Sequence, residues 1–174
     1  MTDIFYATLY GSTKQYADAL AERLGVQAQE ITKHSASLVD ATSVNPIIVL
    51  FPIHGSFIRG AKFLNELGPE VVEKRKVCLA PVGIALDHVL EETDPAAVLL
   101  GDMADHVKRV YLPGRLNYSE LAPDHHDIME TRVEKMKAKD ERSENEEMMV
   151  ETYDTDVDRV DLSRLDPIVE WVEG

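Results

Sequence analysis

Residues Thr8-Leu9-Tyr10-Gly11-Ser12-Thr13 place three aliphatic hydroxyls and a glycine between a short apolar run, Asp3-Ile4-Phe5-Tyr6-Ala7, and the helical spacing of Tyr16, Ala17, Leu20 and Leu24. The first residues of a helix have no preceding turn to accept their N–H groups, and the helix dipole adds partial positive charge at the same end. A glycine free to take unusual dihedrals and nearby hydroxyl donors complete a cradle for an anion, and a terminal phosphate suits it. Lys14 stands beside this turn and either adds its charge or points to solvent. A reading without any ligand is equally open, because Ser12 and Gln15 have the spacing of a capping box. The glycine spacing matches neither a dinucleotide fingerprint nor an ATP-binding P-loop.

The elements that position this turn follow from periodicity. Residues 3–7 form a first strand, Gly25 a left-handed helix cap, and residues 26–31 a short second strand. Pro46 opens Ile47-Ile48-Val49-Leu50-Phe51, whose unbroken apolar run suits a central parallel strand covered on both faces. Ile58, Ala61, Leu64 and Leu67 mark a helix that Gly68-Pro69 interrupts, and Val77-Cys78-Leu79-Ala80-Pro81 makes the fourth strand. Asp94-Pro95 starts a helix carrying Ala96, Leu99, Leu100, Met103 and Val107, followed by a last strand, Val110-Tyr111-Leu112. Strand–helix alternation predicts an α/β fold with right-handed crossovers and a doubly wound five-stranded parallel sheet of order 2-1-3-4-5. Ligands of such sheets bind beyond the carboxyl ends of the first and third strands, here loops 8–13 and 52–59.

A charged segment, about residues 124–151, interrupts the pattern before the last helix. Met129, Val133 and Met136 share one helical face, but residues 137–147 are polar all round and predict a solvated helix or flexible loop. The segment is therefore expected to be dispensable for cofactor binding while mattering for partner or substrate access. Leu162, Leu165, Ile168, Val169 and Val172 then predict an amphipathic closing helix, with Trp171 covering its edge.

The 174 residues suit a single domain, and a charge of −14 opposes approach to nucleic acid. No stretch is apolar for long enough to span a membrane, and a single cysteine, Cys78, together with an amino terminus lacking an export signal points to the cytoplasm. Cys78 lies within an apolar strand and reads as a small hydrophobe. In Asp124-His125-His126-Asp127, adjacent histidines point apart and no distant partner is evident, which disfavours a metal site. His88 and His106 read as surface residues, and the Met148-Met149 pair as packing on the sheet edge. Arg115, Asn117 and Tyr118 are open between a substrate rim and a turn before the insertion.

Thr8-x-x-Gly11-x-Thr13 after an apolar strand, continued by Tyr16-Ala17, resembles the phosphate loop of flavodoxins. Pro52-Ile53-His54-Gly55, then Ile58-Arg59-Gly60-Ala61-Lys62-Phe63-Leu64, and later Tyr111-Leu112-Pro113-Gly114-Arg115-Leu116-Asn117-Tyr118, resemble the branch containing bacterial menaquinone-dependent protoporphyrinogen oxidases. The resemblance implies a flavodoxin-like fold that holds flavin mononucleotide (FMN). Its phosphate would be wrapped by Thr8, Leu9, Tyr10, Gly11, Ser12 and Thr13. Its ring would be flanked by Pro52, Ile53, His54, Gly55, Ser56 and Phe57 and by Pro81, Val82, Gly83 and Ile84, within a second loop spanning residues 81–86. Electron-carrier flavodoxins commonly stack an aromatic ring on each flavin face. Here the first loop offers His54 or Phe57 and the second only Val82-Gly83-Ile84. The family's peptide that turns to accept the proton on the reduced ring nitrogen maps onto His54-Gly55. The implied function is electron transfer or flavin-dependent oxidoreduction with a redox partner protein or a quinone. The alternative is a flavodoxin-fold binding module without flavin.

Overall fold

The computed structural model describes residues 1–32, 35–53 and 59–174. His54, Gly55, Ser56, Phe57 and Ile58 lie outside the described residues. In chain order the elements begin with β1 (Asp3–Tyr6), α1 (Ser12–Leu24), β2 (Ala28–Glu30), α2 (Ser35–Leu38), β3 (Ile47–Pro52), α3 (Arg59–Leu67), α4 (Pro69–Lys74) and β4 (Val77–Gly83). They continue with α5 (Asp87–Thr93), α6 (Pro95–Leu100), a 3-10 turn (Gly101–His106), β5 (Val107–Arg109), β6 (Leu112–Pro113) and β7 (Arg115–Leu116). The chain closes with α7 (Pro123–Lys137), α8 (Glu144–Glu151), β8 (Val157–Asp158), a 3-10 turn (Leu162–Leu165) and α9 (Asp166–Glu173).

The main sheet is parallel and runs β2-β1-β3-β4-β5, the order expected of a doubly wound fold, with β6 pairing the far end of β4. Successive strand residues point to opposite faces, and the core divides accordingly. Phe5, Ile47, Val49, Phe51, Val77 and Leu79 pack with Phe63 and Leu64 of α3, Val72 of α4 and Ala96 and Leu100 of α6. Ile4, Tyr6, Ile48, Leu50, Cys78 and Ala80 pack on the other face with Tyr16, Ala17 and Leu20 of α1 and Leu165 and Ile168 of the closing segment. All of Ile47, Ile48, Val49, Leu50 and Phe51 are fully buried, as an unbroken apolar central strand requires. Each such side chain contributes about 1.5–3 kcal/mol of burial.

Two sequence expectations need correction. The helix from Asp94-Pro95 stops at Leu100, because Gly101 turns to φ 55°, and Val107 begins β5 instead of continuing the helix. The expected strand at residues 110–112 is split. Val110 N–H still donates to Leu79 O (3.0 Å). Tyr111 instead turns its hydroxyl to Asp94 Oδ1 (2.7 Å) and accepts from the Ala96 amide (3.1 Å). The ladder resumes at Leu112.

The charged segment is a helical hairpin. Val133 is fully buried and Met129 and Met136 half-buried, so the expected stripe holds. Beyond it, residues 138–143 form a turn exposed except at Arg142, and Ser143 and Glu146 cap α8 with a reciprocal capping box. Met148 and Met149 are half-buried in α8. The closing segment packs as expected, with Lys76 Nζ 5.7 Å from the centre of the Trp171 ring. Arg75, buried at 4% exposure, ties the opposite end of the sheet by donating to Asn45 O (2.6 Å) and pairing with Asp3.

Candidate functional site

The turn between β1 and α1 is built almost entirely by its own residues. Gly11 is the residue preceding α1 and sits at φ 92°, which a β-carbon would resist. The Gly11 amide donates to Thr8 Oγ1 (3.1 Å), closing a tight turn, and the first helical bond runs from Gln15 N to Gly11 O (3.0 Å). The amides of Ser12, Thr13 and Lys14 therefore precede the helical ladder, and among the described residues no side chain caps them. The capping-box reading of Ser12 and Gln15 is corrected here: Ser12 is already the first helical residue, and Gln15 Oε1 accepts from Arg115 Nη2 (2.9 Å). Lys14 turns away to Asp18 (2.5 Å), whose hydrogen bond raises the lysine pKa.

Thr13 is 1% exposed, yet its Oγ1 has no hydrogen-bond partner among the described residues. A buried hydroxyl left unpaired costs about 1–3 kcal/mol, so an acceptor at the head of α1 would relieve a cost that the folded chain carries alone. Uncapped amides, the helix dipole and this hydroxyl fit an anionic group such as a phosphate. The cradle is held rigidly from below. Tyr16 is fully buried, donates to Pro113 O (2.7 Å) and accepts from the Asp161 amide (2.9 Å), and burial raises its pKa.

The second half of the expected site lies at the ends of β3 and β4. Pro52 closes β3; Ile53 N–H donates to Val82 O (2.8 Å), continuing the ladder one step beyond the strand. Pro81 and Val82, expected in a loop, are buried strand residues, so their side chains belong to the sheet and the loop proper starts after Gly83. Gly83 is packed between Ile53 and Gly114. Gly114 donates to Gly83 O (2.7 Å), and a β-carbon on Gly114 would lie 3.2 Å from Gly83 backbone atoms. Beyond Gly83 the chain is fastened by distant residues. Arg159 Nη1 donates to Ile84 O (2.7 Å), the Leu86 amide donates to Asn145 Oδ1 (2.7 Å), and His88 meets Glu144 (2.5 Å).

The insertion also reaches the first loop. Tyr10 Oη accepts from the Ala122 amide (3.2 Å) and shares a 2.5 Å hydrogen bond with His125 Nδ1. Tyr10 therefore presents only its backbone to the cradle, and Leu9 is exposed. His126 points elsewhere, edge-on to Tyr118 and 3.4 Å from Asp154, so the neighbouring histidines diverge as their spacing implies. Within one turn, His126, Asp127 and Glu130 bring ligand-type atoms within 4.8 Å of one another, a grouping that includes a residue outside the sequence tetrad. Arg115 is committed to Gln15 and Asp158, Asn117 to Glu120, and Tyr118 is buried, so these three brace the turn before the insertion. Cys78 is fully buried, and burial pushes its thiol pKa up to about 12.

Sequence reasoning located the first loop and missed the residues that hold the second. Asn145 sits in a polar run without periodicity, and Arg159 in a stretch that carries no motif. Polar residues that act across long sequence separations leave no local pattern to read.

A parallel sheet of order 2-1-3-4-5 with helices on both faces and a glycine turn leading into α1 at the carboxyl end of its first strand defines a doubly wound α/β protein. The chain belongs to a flavodoxin family: the family model described as Flavodoxin domain matches residues 3–144, from the start of β1 to the start of α8. Domains of this type typically bind flavin and serve electron transfer or oxidoreduction. No curated protein and no solved structure matches the chain. Among the described residues, no helix is long and apolar enough to cross a membrane.

Proposed function

We propose that the protein binds FMN and works as an electron-transfer protein or flavin-dependent oxidoreductase. The buried Thr13 hydroxyl at the start of α1, which has no partner among the described residues, carries the reading. The amides of Ser12, Thr13 and Lys14 and the hydroxyls of Thr8, Ser12 and Thr13 would hold the phosphate. Pro52, Ile53, Gly83 and Ile84 would border the ring, together with residues 54–57. Bound flavin would supply reversible electron transfer, and the protein would tune it through hydrogen bonds and local charge. The chain's part is to grip the phosphate without a cationic side chain. The dipole of α1 and three amides do this locally, where the surrounding acidic surface is screened over roughly 8 Å at physiological salt.

The likeness of residues 52–55, 58–64 and 111–118 to menaquinone-dependent protoporphyrinogen oxidases supports an enzyme that passes electrons to a quinone or a redox partner protein. The negative charge of −14 favours a partner with a basic docking face. Titration with FMN and with riboflavin tests the reading. FMN is expected to bind stoichiometrically and at least about a hundredfold more tightly, since charge-assisted hydrogen bonds contribute about 1.5–3 kcal/mol each. Equal affinity for the two would sink it.

A further inference from the structure

We propose that the α7–α8 hairpin is a strap that couples the phosphate loop to the ring loop, with His125 and Asn145 as its positioning residues. The inference rests on the FMN reading of the two loops. At the base of the hairpin, His125 in the first turn of α7 bonds the Tyr10 hydroxyl, which also accepts from the Ala122 amide. At its far end, Asn145 Oδ1 accepts from the Leu86 amide, and Glu144 meets His88. The residues from His125 to Lys137 span roughly 18 Å at about 1.5 Å per residue, so one α7 length separates the two attachments.

The hairpin can transmit force because it is internally rigid. Val133 is fully buried, α8 is capped by Ser143 and Glu146, and Lys139–Glu146 and Arg142–Glu147 pairs join the turn to α8. Tyr153, just past α8, packs against Tyr118 and His126, with Lys137 Nζ 5.3 Å from its ring centre. The antiparallel β7–β8 ribbon, Arg115 opposite Asp158, anchors the base. Neither His125 nor Asn145 needs to touch the cofactor: each acts through a loop residue, Tyr10 or Leu86. A single rigid body bonded to both loops makes order in one depend on order in the other.

The test is a double-mutant cycle on the full chain, His125→Phe and Asn145→Ala. Sites more than about 10 Å apart usually act independently. The strap predicts the opposite. Each single change raises the FMN Kd roughly three- to tenfold, as loss of one hydrogen bond allows, and the double variant is no worse than the weaker single. Hydrogen exchange on the FMN-free protein supplies a second readout, in which His125→Phe accelerates exchange of the Leu86 amide at the far end. His125→Asn and Asn145→Asp, which keep an acceptor at each position, are expected to restore both readouts and to show that the Phe and Ala variants did not merely misfold. Multiplicative effects on Kd, or a Leu86 amide indifferent to His125→Phe, would overturn the strap. If wild-type protein binds no flavin, the FMN reading fails, while the exchange experiment still decides whether the two loops are coupled.

Discussion

The proposed phosphate loop and the proposed ring loop end strands of the same sheet, yet they are held in different ways. Residues 8–13 close on themselves: Thr8 to Gly11, then Gly11 to Gln15, with a left-handed glycine between. Residues 83–88 are held by groups from far along the chain, Gly114, Asn145, Glu144 and Arg159. The first loop therefore closes its own turn and is tied to the insertion through Tyr10. The second takes its shape from the insertion and the closing segment, and it is the place where those segments can adjust the site.

Thr13→Val is the strongest way to test the local side of this contrast. It should weaken FMN roughly tenfold to a hundredfold and leave riboflavin binding unchanged, as loss of a charge-assisted hydrogen bond requires. The flavin-free protein should meanwhile gain about 1 kcal/mol, because the buried hydroxyl has no partner to lose. Opposite signs in ligand titration and thermal unfolding identify a residue kept for binding. A loss of both would make Thr13 a structural residue.

Gly114→Ala probes the distant side. Its new methyl would press on the Gly83 backbone at 3.2 Å, and small-to-large changes in packed sites typically cost about 1–3 kcal/mol. FMN and riboflavin should then weaken by the same factor, since the phosphate cradle is untouched. A selective loss of FMN in calorimetric titration would erase the distinction between the loops.

The smallest effect concerns the tie at His88. Its hydrogen bond to Glu144 raises the histidine pKa, with the charges of Glu144, Glu92 and Asp87 adding to it. A raised pKa means that this contribution is full below the unfolded value near 6.5 and is lost as pH rises through the folded value. An NMR titration of His88 should show the raised value, and Glu144→Gln should bring it down. An unmoved titration would remove this tie from the ring loop.

The legibility of the molecule follows the same division. Apolar patterning exposed α1, which buries one face, and β1, β3 and β4, whose apolar runs are buried on both faces, and turn chemistry exposed residues 8–13 because hydroxyls, glycine and helix start are adjacent. The helix expected through Val107 failed at Gly101, where one backbone dihedral outweighed an apolar spacing. The insertion read as a polar segment, and its bonds to both loops carry no local pattern.

By itself the sequence determined the doubly wound sheet, its order and the glycine turn at the head of α1, since each depends on residues within one element or its neighbour. Only the tertiary structure decided that Ser12 does not cap α1, that Thr13 is buried with no partner among the described residues, and that His125 and Asn145 reach Tyr10 and Leu86. Those facts depend on contacts between residues up to 115 positions apart, which the folded sheet brings together and no local pattern records.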